Sequence, residues 1–247
     1  MNSAPKTYLI TGASSGIGNA VCRRLLQQGH KVVALGRHLE QSFVDPPENL
    51  SLHHIDLADS TELYLLLKEL SKSLTPDAYV GAAGYGQFGG LEQFSYDQIE
   101  RLLQVNFLAH AHICRAFLPA FKGKSNSRIV LIGSEAALRG ARMGSIYCAS
   151  KFALRGFAQS LQEECGRNGV HVSLINPGMT AGEFYRELNF EPGSETQQRL
   201  ESDDIAECVL NVLNARYGAV YQEINMAPLV KVVNKKMPGT SGSETNE

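Results

Sequence analysis

Short apolar runs alternate with longer helical stretches along nearly the whole chain, and nothing else in the sequence constrains the fold as strongly. KTYLIT (6–11), KVVALG (31–36), LSLHHI (50–55), DAYVGAAG (77–84), RIVLIGS (128–134), VHVSLIN (170–176) and AVYQEIN (219–225) read as strands. Helical patterns cover 17–28, 60–73, 96–121, 147–167 and 202–215. Gly29 stops the first, and Asp59 or Ser60 caps the second. Strands without polar alternation must be covered on both faces, as in a parallel sheet flanked by helices. Right-handed crossovers then predict a single-domain, doubly wound α/β fold of about seven strands spanning 1–230. The last segment, 231–247 with KKMPGTSGSETNE, has too few apolar residues to offset its ordering entropy and reads as a flexible tail.

The stretch TGASSGIG follows the first strand and opens the first helix. Gly12 permits a tight turn, Gly16 a close backbone approach, and Gly18 close packing of helix on sheet. With Ser14, Ser15 and Ile17 between them, free amides at the positive end of a helix dipole face outward, a setting for a diphosphate. The spacing Gly12-x-x-x-Gly16-x-Gly18 differs from the common dinucleotide fingerprint GxGxxG.

A second constellation carries chemistry. In YCASK, Tyr147 and Lys151 stand at i and i+4, on one helix face. A phenol titrates near pH 10, and an adjacent ammonium favours the phenolate, so the pair is a candidate general acid/base toward a carbonyl oxygen. Ser134 closes the fifth strand at the same sheet edge. Its hydroxyl either holds the substrate oxygen or caps a turn. Asn106 is a polar residue in an apolar helical stretch, either anchoring a water beside Lys151 or bonding a helix carbonyl.

Together these motifs resemble the short-chain dehydrogenase/reductase family over about residues 5–230, with its Rossmann-type fold. The resemblance implies that Asn106, Ser134, Tyr147 and Lys151 form the catalytic tetrad, and that Lys151 also holds the nicotinamide ribose. It places Pro177, Gly178 and Thr180 beside the nicotinamide, and Ala82, Ala83 and Gly84 along the adenosine side. Asp56, with Leu57, would bond the adenine, or else Asp56 caps a helix. Two departures stand out. The family's NNAG is Gly81-Ala82-Ala83-Gly84 here, and Gly182 stands where a threonine is frequent.

The second strand ends in Gly36 followed by Arg37, without the carboxylate that would bond ribose hydroxyls. A guanidinium there favours NADP(H), with Ser14 adding a hydroxyl, unless Arg37 is a solvated loop charge. The expected activity is hydride exchange between NADP(H) and a small alcohol/carbonyl substrate. Arg139, Arg142 and Arg186 are candidate clamps for a substrate carboxylate. PGMTAGEFYRELNF and EINMAP resemble the 3-hydroxy acid (serine-type) dehydrogenase branch. Alternatives are a general carbonyl or 3-ketoacyl reductase with Phe184 and Tyr185 lining its pocket, or a non-catalytic NADPH-binding regulator.

A net charge of −2 gives no reason to expect nucleic acid or an anionic membrane. No apolar run reaches the length of a bilayer span, and MNSAPKTYLI does not read as a secretory signal. Five scattered cysteines read as reduced thiols in a cytoplasmic protein. No metal site is expected, since His110 and His112 face different sides of their helix. Leu102, Val105, Ala109, Ile113 and Phe117 form one stripe, while Phe107, Leu108, Ala111, Cys114, Leu118 and Phe121 fall around it. With Phe152, Phe157 and Leu161 these predict a homodimer or homotetramer through the helices near 96–121 and 147–167, or else deep burial within one domain.

Overall fold

A computed structural model describes residues 4–236. The chain runs β1 (Thr7–Thr11), α1 (Gly16–Gln27), β2 (Lys31–Gly36), β3 (Leu50–His54), α2 (Ser60–Ser73), β4 (Ala78–Gly81), α3 (Tyr96–Leu103) and α4 (Ala109–Lys122). It continues through β5 (Ser127–Ile132), α5 (Ser145–Cys165), β6 (Val170–Pro177), β7 (Phe190–Pro192), α6 (Ser202–Leu213), β8 (Glu223–Met226) and β9 (Val233–Lys235). Seven strands make one parallel sheet in the order β3-β2-β1-β4-β5-β6-β8, as the alternation of elements predicts. Every residue of β5 and β6 is buried, whereas the edge strands β3 and β8 are partly exposed.

The two faces carry separate cores. On one, Val21 and Leu25 of α1 meet Ile205 and Val209 of α6 over Ile10 and Val130. On the other, Leu63 of α2, Ile113 and Phe117 of α4 and Leu154 and Leu161 of α5 cover Leu9, Ile129 and Leu174. Local signals set the helix ends. Asp59 caps α2, accepting from the Thr61 and Glu62 amides at 2.9 Å. Ser95 and Gln98 close a reciprocal box at the start of α3.

Four expectations change. The strand expected over 77–84 ends at Gly81, because the Ala83 amide and carbonyl bond the Thr11 and His110 side chains instead of a neighbouring strand. The helix expected over 96–121 is broken by a π-helical turn, Gln104–Leu108, because the Asn106 side chain is drawn out to bond backbone elsewhere. The last sheet strand starts at Glu223 rather than 219, since its only neighbour, β6, pairs from Leu174↔Glu223 onward. The segment expected to be tail from 231 pairs in part: β9 lies antiparallel to β7, and the Lys236 amide bonds the Asn189 carbonyl. The rest of that segment, 237–247, lies outside the described residues. No helix among the described residues is long and apolar enough to cross a membrane.

Candidate active site

Strand order reverses between β1 and β4, so a crevice opens beyond their C-terminal ends, where ligands of such sheets bind. The glycine turn occupies this edge. Gly12 has φ +73°, and a Cβ there would stand 2.8 Å from the Ala82 carbonyl carbon and the Ala83 nitrogen. A Cβ on Gly18 would meet the Gly12 carbonyl oxygen at 2.3 Å, so α1 approaches the turn as closely as backbone allows. Ser15 is the N-cap of α1 but makes no side-chain cap bond. The first-turn amides therefore face the crevice without an internal acceptor, the chemistry that suits a diphosphate. Ile17 packs partly buried on the core beneath.

At the end of β2, Gly36 lies beside Ser14, whose hydroxyl oxygen would be 3.8 Å from a Cβ on Gly36. Arg37 is exposed. Asp56 is not a helix cap. It accepts from the Ala58 amide at 3.0 Å and pairs with Arg101 at 2.7 Å. Partial burial pushes its carboxyl up, but the Ala58 amide, Arg101 and the charge of Arg37 together hold it below the usual range. Leu57 is buried, and its carbonyl accepts from Gln104. A cradle of glycine backbone, open amides and an exposed guanidinium fits a nucleotide cofactor.

Tyr147 and Lys151 lie in the first two turns of α5, both buried, with the ammonium 6.0 Å from the Tyr147 ring centroid. The Lys151 Nζ donates to the Ile132 carbonyl at 3.2 Å. Burial lowers its pKa to about 8. Burial also raises the Tyr147 phenol well above its ordinary value, against a smaller lowering by a hydrogen bond with Ser134. The expectation that Lys151 depresses Tyr147 is not met: burial sets the upward direction, and the hydrogen bond with Ser134, not the Lys151 charge, is what opposes it.

Ser134 stands two residues beyond β5, not at its end. Its hydroxyl accepts from the Ala136 amide at 3.1 Å, as the capping reading expects, and also meets Tyr147. Asn106 is fully buried at the π-turn. Its Oδ1 accepts from the Tyr85 amide at 3.0 Å, and its Nδ2 donates to the Tyr85 carbonyl at 3.0 Å and to Ser150 at 3.1 Å. A Cβ on Gly84 would lie 3.2 Å from the Asn106 Oδ1 and 3.4 Å from the Lys151 Nζ, so those two groups converge on one backbone point. Pro177 ends β6, the Gly178 amide bonds the Met226 carbonyl, and the Thr180 hydroxyl donates to the Gly178 carbonyl at 3.0 Å.

Two features escape sequence reasoning. Asn176 accepts from the Ser134 amide at 3.3 Å and donates to Glu223 and Asn225, fixing the loop that carries Ser134. Its signal is an amide inside the apolar run VHVSLIN. The other is a closed circuit of five aromatic rings, Tyr147–Phe88–Phe190–Tyr185–Phe184, with neighbouring centroids 5.0–5.8 Å apart. The sequence points to Tyr147, Phe184 and Tyr185, but Phe88 and Phe190 come from separate segments, so no local pattern announces the closed circuit. The three candidate clamp arginines stay outside it. Arg139 and Arg142 are exposed, and Arg186 pairs with Glu183 on the surface at 3.1 Å. Among the described residues no cluster of His, Cys, Asp and Glu could hold a metal ion, and all five cysteines are free.

Residues 6–192 match the short chain dehydrogenase family model. The mouse 17-beta-hydroxysteroid dehydrogenase type 1 is 34% identical over an alignment of 206 residues that covers 78% of this chain and 60% of that protein. The chain thus aligns with less than two thirds of that relative. The crystal structure of Escherichia coli serine dehydrogenase superposes with a TM-score of 0.76 at 26% identity, covering 89% of this chain and 96% of that one. The alcohol dehydrogenase of Thermococcus sibiricus, complexed with 5-hydroxy-NADP, gives 0.78 at 25% identity, covering 90% and 95%. With the glycine turn, the YxxxK helix and the parallel sheet in register, the chain belongs to the short-chain dehydrogenase family of oxidoreductases.

Proposed function

We propose that this chain is an NADP(H)-dependent reductase of apolar, aromatic-compatible carbonyl compounds, acting equally on the corresponding alcohols in reverse. The observation that carries the substrate class is the aromatic circuit. Phe88 and Phe184 pack on Tyr147, Phe190 and Tyr185 back those two rings, and none of the candidate arginines reaches the circuit, so a flat or bulky apolar ketone is favoured over a hydroxy acid. A substrate ring entering between Phe88 and Phe184 exchanges one aromatic contact for another, at little cost in exposed apolar surface. Identity to a hydroxysteroid dehydrogenase agrees with this class. The 3-hydroxy acid reading draws on the likeness to serine dehydrogenase, but the site offers no buried cation to its carboxylate beyond Lys151.

The cofactor supplies hydride when bound. The Gly12–Gly18 turn with Ser14, Ser15 and Ile17 would hold its diphosphate, and Arg37 its 2′-phosphate. Asp56 and Leu57 would hold its adenine, and Ala82, Ala83 and Gly84 its adenosine side. Pro177, Gly178 and Thr180 would flank its nicotinamide. Tyr147 gives its phenolic proton to the carbonyl oxygen, which Ser134 steadies by a hydrogen bond. Lys151 bonds the nearby ribose and, as its cation, favours the phenolate left behind. Asn106, pinned to Tyr85 and Ser150, fixes the end of the route by which Tyr147 regains its proton. The apolar groove lined by Ala111, Cys114, Leu118, Phe157 and Leu161, between α4 and α5, is where a second copy of this chain would pack.

The test follows NADPH oxidation with aromatic ketones and with 3-keto acids beside their esters. Aromatic ketones should give the higher kcat/KM, and esters should match or exceed acids. Faster turnover of the free acids overturns the apolar assignment. Arg37→Ala should weaken NADPH by about 1.5–3 kcal/mol, the worth of a charge-assisted bond, and leave NADH nearly unchanged. Equal loss for both removes Arg37 from the phosphate site.

A further inference from the structure

Where the family resemblance leads one to expect an asparagine, the chain has Gly81, and the space above it is filled by two polar side chains from elsewhere. Tyr79 and His110 are both fully buried. A Cβ on Gly81 would lie 2.7 Å from the His110 Nδ1, 2.9 Å from Leu131 and 3.0 Å from the Tyr79 hydroxyl, so only glycine leaves the pair its room.

The hydrogen bonds of this pair close a circuit. The His110 Nε2 lies 2.9 Å from the Ala83 carbonyl, which can only accept, so Nε2 carries the proton. In the neutral ring Nδ1 then accepts from the Tyr79 hydroxyl at 2.7 Å. The Tyr79 oxygen in turn accepts from the Thr11 hydroxyl at 3.3 Å. Thr11 accepts from the Ala83 amide at 3.4 Å. The path begins on the amide of Ala83 and ends on its carbonyl, with one consistent donor direction throughout. Burial, which lowers the His110 pKa to about 4, keeps the imidazole in the neutral form that this direction needs.

What the circuit grips is the wall of the crevice. The Ala82–Ala83 peptide stands against Gly12 on one side, and Gly84 stands against Asn106 and Lys151 on the other. These three residues carry almost no side chain, so nothing but backbone position sets the gap on the cofactor side. We propose that Tyr79 and His110, through Thr11, are positioning residues that hold the Ala82–Gly84 backbone at the spacing the nucleotide cofactor requires. This rests on the reading above that the cofactor lies against that segment.

The experiment is a fluorescence titration of NADPH into purified wild-type and variant protein, run beside steady-state kinetics and thermal melts. Tyr79→Phe keeps the volume and cuts the circuit at one hydroxyl. Its NADPH Kd should rise about three- to tenfold, the range of one lost hydrogen bond, with kcat at saturating NADPH and KM for the carbonyl within about twofold. His110→Gln can still donate to the Ala83 carbonyl and should stay within about threefold of the wild-type Kd, whereas His110→Leu should lose about tenfold. If His110→Leu does not fold, Tyr79→Phe decides alone. An unchanged Kd in Tyr79→Phe with a lowered melting temperature makes the circuit merely structural and overturns the proposal. Equal Kd losses in the Gln and Leu variants overturn it as well. A wild type that binds neither NADPH nor NADH instead overturns the cofactor reading, and this one with it.

Discussion

The two ends of the parallel sheet treat their polar groups in opposite ways. At the N-terminal end of the strands, side chains bond to one another and to backbone. Asp77 accepts from the Thr7 amide and from Lys124, each at 2.7 Å, and His30 accepts from the Lys6 amide. Arg128, buried at the start of β5, reaches the Val212 carbonyl at 3.0 Å, His171 at 3.2 Å, Asn126 at 2.9 Å and the Ala215 carbonyl. Only its Nε lacks a partner. At the C-terminal end, the first-turn amides of α1, the Ser15 hydroxyl and the Arg37 guanidinium point outward without such closure. One end spends its polarity internally and holds the fold together. The other keeps part of its polarity for a ligand, while Asn106, Asn176 and the Thr11–Tyr79–His110 circuit are closed around and beneath it.

The sharpest way to break this contrast is at the reactive end. Tyr147→Phe should lower turnover by about two to four orders of magnitude, the worth of a positioned proton transfer, while NADPH titrations and thermal melts stay near wild type. Near-normal turnover in the folded variant removes Tyr147 from the chemistry.

At the opposite end the effect should fall on stability instead. Arg128→Met strands the buried Val212 carbonyl, the half-buried Ala215 carbonyl and the His171 imidazole, and should cost about 3–4 kcal/mol in urea unfolding. The activity of the molecules that remain folded should be unchanged. A comparable loss of activity in the folded fraction would show that the two ends are not separable.

The smallest effect concerns the closed circuit. The His110 pKa falls from 6.5 to about 4, first through burial and then through the charge of Lys151, against the Ala83 hydrogen bond. Between those values the unfolded chain binds a proton that the folded one does not. Stability contributed by the neutral ring is therefore full above pH 6.5 and is lost as pH falls toward 4. The loss is about 3 kcal/mol when complete. The difference between wild type and His110→Gln in unfolding free energy, measured from pH 7 to 4.5, isolates it from His30, His53 and His171, whose values are also lowered. Parallel curves would show that His110 carries no such linkage.

The sequence makes legible whatever is local. KTYLIT, RIVLIGS and VHVSLIN announce buried strands because apolar residues run through them without regular polar alternation, and Tyr147 and Lys151 announce themselves by a single helical turn. The π-turn at 104–108 stays hidden because helix-forming residues continue on both sides of it and a single buried amide, Asn106, does not by itself signal a change of helical pitch. The β7–β9 ribbon stays hidden because three-residue strands with exposed side chains carry no periodicity. Asp56 reads equally well as a helix cap until the Ala58 amide and Arg101, from α3, are seen on its carboxylate. Tyr79, His110 and the aromatic circuit follow the same rule: each partner is ordinary alone, and only the crossovers of the fold bring them together.

The β7–β9 ribbon has a consequence in time rather than in space. Phe190 belongs to the wall around Tyr147, yet its ladder partner, Lys235, leaves the ribosome only after the whole parallel sheet has been made. A nascent chain can therefore complete its nucleotide crevice while the substrate side is still without its fastening strand. The order of synthesis puts the cofactor's half of the site first and the substrate's half last.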